Sequence, residues 1–182
     1  MIDARLSAGR WGRRALLALA LVAGPSLAAD GAAARDGIGG GAQVEVFLPP
    51  TCLACIDWGA YLIDNGFKVV FRESADMAAV KRRLKVPADL QSVLTAVVGG
   101  YFVEGHVPAE DIVELLHDQP RARGIAVPGL PRGAPGRETS NPSCEQGCTM
   151  LDTITGEKDV RRELYDTLLV LPDGTTKRWA RH

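Results

Sequence analysis

The chain has 182 residues, which allows one domain of ordinary size with extensions. Its composition is 46% hydrophobic with a formal net charge of −1, which is normal for a soluble protein and offers no basic field for nucleic acid. We therefore expect no nucleic-acid partner. After the N-terminal region described next, no stretch stays apolar long enough to span a membrane.

The N-terminus has the three parts of a secretory signal peptide. Arginines at positions 10, 13 and 14 form a positive region, residues 15–23 are an unbroken apolar run, and Ser26-Leu27-Ala28 is a small-residue cleavage site. Nine apolar residues are about half of what a membrane helix needs, so a signal peptide fits better than a membrane anchor. A disordered basic tail is the other alternative, and it explains the three parts less well than a signal peptide does. We predict export to the periplasm, with the mature protein beginning near Ala29.

A leader rich in glycine and alanine over residues 29–42 precedes the first predicted strand. Alternating apolar residues predict that strand over 44–48, and Pro49-Pro50 ends it. Thr51 is expected to cap a helix that runs to Asn65-Gly66, because glycine suits the left-handed end of a helix. The chain thus enters its first helix from the carboxyl end of a strand, where α/β sheets place their sites.

The first turn of that helix carries a Cys-x-x-Cys pair, Cys52 and Cys55, whose thiols fall on one side of the helix. The positive end of a helix dipole favours thiolate over thiol. Thiolate is the form that attacks disulfides and binds soft metals. The segment therefore predicts a chemically active thiol pair.

Strands and helices alternate through the rest of the core. The first predicted elements are a strand over 67–71 and a helix that Ser74 to Asp76 can cap and Pro87 ends. Strands over 95–98 and 101–103, joined by Gly99-Gly100, and a helix beginning at Pro108 follow. Residues 81–83, Lys-Arg-Arg, are expected to form a solvated helix face. A right-handed crossover makes the first two strands parallel neighbours, and the hairpin adds an antiparallel edge. This order predicts an α/β fold, a thioredoxin-like sheet with flanking helices.

The last third of the chain combines an irregular segment with a terminal β-hairpin. Prolines and glycines fill residues 121–163, which also contain Cys144 and Cys148. Residues 165–171, a Pro172-Asp173-Gly174 turn and residues 175–179 predict a hairpin that extends the sheet. The predicted division is a signal peptide over 1–28, a leader over 29–42, a thioredoxin-like core over 43–120, the irregular segment over 121–163 and the hairpin over 164–182.

Three stretches resemble a known family, the bacterial CopG-like copper-resistance proteins, also called domain of unknown function 411 (DUF 411). They are Pro-Thr-Cys-x-x-Cys-x-x-Trp over 50–58, Thr-Ala-Val-Val-Gly-Gly-Tyr over 95–101 with Glu-Gly-His-Val-Pro over 104–108, and Arg-Gly-Ile-Ala-Val-Pro-Gly-Leu-Pro over 123–131. The resemblance covers nearly all of the chain after the leader, apart from an insertion around 137–162. It implies an exported, thioredoxin-like protein associated with copper.

Several family positions differ here, and each difference removes a soft ligand of the kind Cu(I) prefers. The resemblance implies a copper-binding Cys-x-Cys-Cys motif, and the middle cysteine of that motif is replaced here by Ala54. The family's Ser-Cys-His-Thr stretch is here Ser92-Val93-Leu94-Thr95. Its Gly-Met-Pro and Pro-Gly-Met elements are here Gly129-Leu130-Pro131 and Pro135-Gly136-Arg137. The matching positions that keep a soft or borderline ligand are Cys52, Cys55 and His106.

Two active roles for the cysteines remain open from the sequence. In the first, Cys52 and Cys55 bind copper, or less favourably zinc. Either His106 is a further ligand, or Cys144 and Cys148 complete a four-thiolate set. In the second, Cys52 and Cys55 cycle as the dithiol of an oxidoreductase. The partner is then a metal ion, or a periplasmic thiol or copper-handling protein. Whether the chain is an enzyme stays open.

A third alternative is a scaffold in which both cysteine pairs are stabilising disulfides, a role that suits Cys144 and Cys148 better than the short Cys-x-x-Cys loop. His106 has an equally good alternative role in bonding loop backbone. His117 and His182 are expected at the surface, and Trp58, Tyr61 and Trp179 in or near the core. Glu104 and Asp111 are a pair of carboxylates of the kind that hydrolases use. No nucleophile lies beside them and Asp111 suits the first turn of a helix, so hydrolysis is not predicted.

Overall fold

The computed structural model describes residues 37–138, 150–151, 158–159 and 162–182. Within these ranges the protein is a mixed α/β structure, which confirms the α/β part of the predicted fold class. The elements are β1 (Gln43–Leu48), α1 (Leu53–Asp64), β2 (Lys68–Glu73), α2 (Met77–Leu84), a 3-10 turn (Ala88–Leu90), β3 (Thr95–Val98), β4 (Tyr101–Glu104), α3 (Ala109–Asp118), β5 (Gly124–Ala126), β6 (Met150–Leu151), β7 (Lys158–Asp159), β8 (Asp166–Val170) and β9 (Thr176–Arg181).

Seven strands form one sheet in the order β2-β1-β3-β4-β5-β8-β9, while β6 and β7 pair separately. The predicted parallel pairing of the first two strands is confirmed, and β3 and β4 are antiparallel across Gly99-Gly100 as expected. The expectation that this hairpin forms an edge was wrong. It lies in the middle of the sheet, because β4 also pairs in parallel with β5, and β8 and β9 extend the sheet further.

Strand β5 corrects the prediction that residues 121–163 form one irregular segment. It has three residues, all buried, and it joins β4 to β8. The sequence gives little sign of it because a fully buried strand shows no alternation, and three apolar residues among prolines are too few to register as a strand. The predicted signal peptide, the predicted leader before residue 37, and Cys144 and Cys148 lie outside the described residues.

The main core lies between the sheet and the two helices α1 and α3. It contains Val44, Val46 and Leu48 of β1, Trp58 and Leu62 of α1, and Ile112 and Leu115 of α3. A smaller cluster, Val86, Leu90, Phe102, Ala126 and Val170, forms separately. Each fully buried large apolar side chain contributes about 1.5–3 kcal/mol, so the main core fixes α1 against β1 and thereby positions the thiol pair.

The start of α1 differs from the prediction. Thr51 does not cap the helix; it adopts a left-handed backbone conformation with φ of 63°, and Cys52 occupies the cap position without a side-chain hydrogen bond. Thr51 cannot serve as the cap because it lies within the sharp turn that joins Pro50 to the helix. At the other end Gly66 has a φ of 87°, as predicted for a helix terminus.

Residues 37–42, which the sequence assigned to a leader, are bound to the end of α1. The Gly39 and Gly41 amides donate to the Asn65 and Gly66 carbonyls, each at 2.8 Å. A Cβ on Gly39 would lie 2.5 Å from the Phe67 ring, so the backbone passes directly over that ring. No helix within the described ranges is both long and apolar enough to cross a membrane.

Lys81 corrects the prediction of a fully solvated run over 81–83. It is buried and forms an ion pair with the buried carboxylate of Glu104. Its Nζ also donates to Thr95 Oγ1 at 2.8 Å, Thr95 Oγ1 donates to Glu104 Oε2 at 2.6 Å, and the Ser92 amide donates to Glu104 Oε1 at 2.6 Å. A buried ion pair is tolerated only when hydrogen bonds satisfy both charges in this way.

Candidate functional site

Cys52 and Cys55 form a disulfide at the start of α1, with their Cα atoms 5.3 Å apart. The structure thus brings the two predicted thiols together. Their exposure differs, because Cys55 is fully buried in the main core while Cys52 is only half-buried. Since an attacking group must reach the sulfur in line with the bond, Cys52 is the sulfur that an incoming thiolate meets first.

Trp58, one turn after Cys55, anchors the next loop to the helix that carries the pair. Its ring is fully buried, as predicted, and Nε1 donates to the Val107 carbonyl at 2.9 Å. Val107 belongs to the same core cluster as Cys55. The loop that holds His106 is therefore tied to α1 within one turn of the disulfide.

His106 is fully buried, and its Nδ1 lies 2.9 Å from the Pro135 carbonyl oxygen. A carbonyl only accepts, so Nδ1 carries the hydrogen in this contact. Burial lowers the pKa of His106 to about 4, with the positive charge of Arg137 adding to the effect and the bond to Pro135 opposing it. The neutral ring then has its lone pair on Nε2, which has no hydrogen-bond partner among the described residues. That is the form of histidine that ligates metals.

Residues 135–137 connect His106 to α1. Gly136 has a φ of 76°, and a Cβ there would lie 2.5 Å from the Trp58 nitrogen. Only glycine permits this approach. Arg137 is buried beside this contact. In the sequence Arg137 is only a departure from the family pattern, and the Pro135-Gly136 pair is the only local sign of the close backbone approach.

These residues do not form a preassembled metal site. Within the described ranges, no three side chains of the His, Cys, Asp and Glu types are grouped as a metal ion requires. In the disulfide-bonded protein, His106, Cys52 and Cys55 are therefore not already grouped as a set of three ligands. Sulfur in a disulfide is not a thiolate, so the pair offers two soft ligands only after reduction.

Other predicted residues have structural partners. Asp111 is buried and accepts from Thr167 Oγ1, and the His182 ring contacts the same carboxylate through Nε2 at 2.9 Å. His182, predicted as a surface residue, is therefore only partly exposed, whereas His117 is exposed as expected. Glu104 serves the Lys81 pair, so the two carboxylates have separate partners.

Comparison with known proteins identifies the family. A family model described as "Protein of unknown function, DUF411" matches residues 90–137. The fold is similar to two solved structures, "Copper resistance protein copG- Form 1" and "Form 2", each 35% identical with a TM-score of 0.64 over 78% of this chain and 97% or 98% of theirs. The chain belongs to the CopG-like DUF411 family. A search of curated proteins found no match. In this CopG-like chain the matched range contains His106 and Gly136, while the thiol pair lies outside it.

Proposed function

We propose that this CopG-like protein is exported and handles copper, binding Cu(I) through the reduced thiols of Cys52 and Cys55. The observation that carries the proposal is the position of the pair, at the start of α1 with Cys52 half-buried and Cys55 fully buried. The names of the two similar structures support a copper-related role. Cu(I) is a soft ion that prefers thiolates over oxygen ligands, and zinc is the weaker alternative.

Copper binding is then linked to the redox state of the pair. The disulfide has no thiolate to offer, and reduction by two electrons and two protons releases two thiols at adjacent positions. Loss of their protons gives two thiolates, which the helix N-terminus stabilises. The oxidised protein is therefore expected to bind little Cu(I), and binding should appear on reduction.

We propose His106 as a further ligand, supported by its buried and unprotonated Nε2. Its bond to Pro135 is an outer contact of the kind that orients ligating histidines. A four-thiolate set with Cys144 and Cys148 remains a second form of the same proposal. Copper is the cargo in this scheme. The positive charge of Arg137 acts on the His106 ring and works against the binding of a cation there.

The division of the chain is part of the proposal. The parallel β1–α1–β2 unit, the antiparallel β3–β4 pair and α3 support a thioredoxin-like core. We propose a signal peptide over 1–28 and a leader over 29–42, whose residues 37–42 contact the end of α1. The antiparallel pairing of β8 with β9 supports a C-terminal hairpin that completes the same domain.

A second candidate function is thiol–disulfide exchange, favoured by the disulfide itself. An incoming thiolate would attack Cys52 Sγ, forming a mixed disulfide and releasing Cys55 as a thiolate. A second incoming thiolate would then release Cys52, so that two thiols become one disulfide and the pair is reduced. A scaffold without either activity is the remaining alternative.

The test is the copper and zinc stoichiometry of the reduced mature protein. We expect tight Cu(I) binding that is lost in Cys52→Ser, and the matched Cys144→Ser variant shows whether the second pair participates. His106→Asn, which keeps an amide donor for Pro135, is expected to weaken binding. Absence of metal from the reduced wild type would overturn the proposal, and the reduction potential of the pair would then separate an exchanger from a scaffold.

A further inference from the structure

An apolar surface lies beside the half-buried sulfur. Four large apolar side chains are well exposed there, Leu53 at 73%, Ile56 at 45%, Ile63 at 49% and Phe71 at 39%. With the exposed Ala60 they form what we call the α1 patch. Soluble proteins rarely gather large apolar side chains at the surface without a use, whereas isolated ones need no explanation.

The members of the α1 patch share one side of the molecule. Leu53, Ile56, Ala60 and Ile63 recur at spacings of three and four residues, so they line one face of α1. Phe71 continues the surface, because a Cβ on the intervening Gly59 would lie 2.3 Å from its ring. Phe71 belongs to β2, one of the two edge strands of the seven-stranded sheet, so the patch reaches a border of that sheet.

The surroundings of the α1 patch favour a particular kind of partner. Cys52 directly precedes Leu53, at one end of the patch. Asp57 and Asp64 are exposed on the face of α1 away from Phe71 and give the patch an acidic border. A partner with basic residues at the matching positions gains from this border. A second copy of this chain would bring acidic borders of its own.

We propose that the α1 patch is the docking surface for a protein that presents a cysteine flanked by apolar and basic residues. The purpose rests on the proposed function, since passing Cu(I) or exchanging a disulfide requires the partner's sulfur to approach Cys52. That approach brings the partner over Leu53 and Ile56, which bury apolar area on contact. The acidic border then favours a partner with basic residues and fixes the orientation in which that partner binds.

The test uses the oxidised full-length mature protein and short cysteine peptides as probes. The peptides are Lys-Leu-Cys-Leu-Lys, Glu-Leu-Cys-Leu-Glu and Lys-Ser-Cys-Ser-Lys, with capped termini. Each peptide thiolate attacks Cys52 Sγ and releases Cys55 as a thiolate, and a second peptide completes the reduction with formation of a peptide disulfide. The measured quantity is the second-order rate constant per thiolate, obtained from the appearance of free protein thiol.

We expect the Lys-Leu peptide to react about tenfold faster than the Glu-Leu peptide at low salt, with the difference shrinking as salt is added. Leu53→Ser and Ile56→Ser should lower the rate with the Lys-Leu peptide and leave the rate with the Lys-Ser peptide unchanged. The matched control is Leu164→Ser, which removes a leucine that is 87% exposed elsewhere. It should change no rate.

Equal rates for all three peptides, or an equal loss in Leu164→Ser, would overturn the docking proposal. Dimerisation of the wild type that Leu53→Ser abolishes would also overturn it, because a second copy would then be the occupant. Copper stoichiometry of reduced Leu53→Ser keeps the two proposals apart. If the protein binds Cu(I) normally but the three peptides react at equal rates, only the docking proposal is wrong. If the peptides react at different rates as expected but the wild type binds no Cu(I), only the copper proposal is wrong.

Discussion

His106 provides a prediction with a definite sign and size. Burial lowers its pKa to about 4 in the folded protein, against 6.5 for an unperturbed histidine. The unfolded chain therefore takes up a proton at His106 more readily than the folded one. The stability that comes from keeping this ring neutral is fully present above pH 6.5 and is lost as the pH falls toward 4.

The magnitude follows from the two pKa values. Linkage gives a loss of about 2.5 kcal/mol from this one group between about pH 7.5 and about pH 4.5. Protonation would also place a positive charge near the Arg137 guanidinium, in a site closed to water. The effect is a large fraction of the 5–15 kcal/mol that ordinary domains have in total, roughly a quarter.

The assay is urea denaturation of the oxidised protein at both pH values, beside His106→Asn. Asparagine retains a donor for the Pro135 carbonyl but does not titrate. The loss of unfolding free energy on acidification should be smaller in the variant by about 2.5 kcal/mol. Identical pH dependence in wild type and variant would show that His106 protonates freely in the folded protein, and that its Nε2 is not held unprotonated.

Three further changes test the packing around the site by urea denaturation. Lys81→Met leaves the Glu104 carboxylate buried without its cation and should cost about 3–5 kcal/mol, most of it recovered when Glu104→Leu is added. Gly136→Ala places a methyl group 2.5 Å from the Trp58 nitrogen, and should cost about 1–3 kcal/mol more than Gly129→Ala, which has a similar positive φ and open space. Trp58→Phe leaves a buried carbonyl without its donor and should cost about 1–3 kcal/mol.

Each of these changes has an outcome that contradicts the structure. Arg82→Met, on the exposed side of α2, is the control for Lys81→Met and should cost less than about 0.5 kcal/mol. Equal losses of unfolding free energy for Lys81→Met and Arg82→Met would mean that Lys81 lies in solvent. Equal costs for Gly136→Ala and Gly129→Ala would separate residues 135–137 from α1. A neutral Trp58→Phe would mean that the loop holding His106 is not tied to the helix.

The sequence was informative where local chemistry decides the structure. Alternating apolar residues located β1, Gly99-Gly100 located a hairpin, and the Asp76 side chain caps α2 by accepting from the Ala79 amide at 2.8 Å. The thiol pair was located for the same reason, since a strand end, a helix start and a three-residue spacing are all local features.

The sequence was uninformative where a distant partner decides. Lys81 follows the pattern of a solvated charge run, and only Glu104 and Thr95 on neighbouring strands make its burial possible. His182 likewise acquires its role from Asp111, far away along the chain. The close approach of Gly136 to α1 depends on the whole path of the chain after β5, which no local pattern encodes.

X-ray absorption at the copper K edge counts the sulfur atoms bound to Cu(I) in the reduced protein loaded with one equivalent. If Cys52 and Cys55 form the site, the wild type shows two sulfur neighbours, Cys55→Ser loses at least one, and Cys144→Ser keeps both. A spectrum dominated by nitrogen or oxygen neighbours, or one that Cys55→Ser leaves unchanged, would contradict copper binding by this pair.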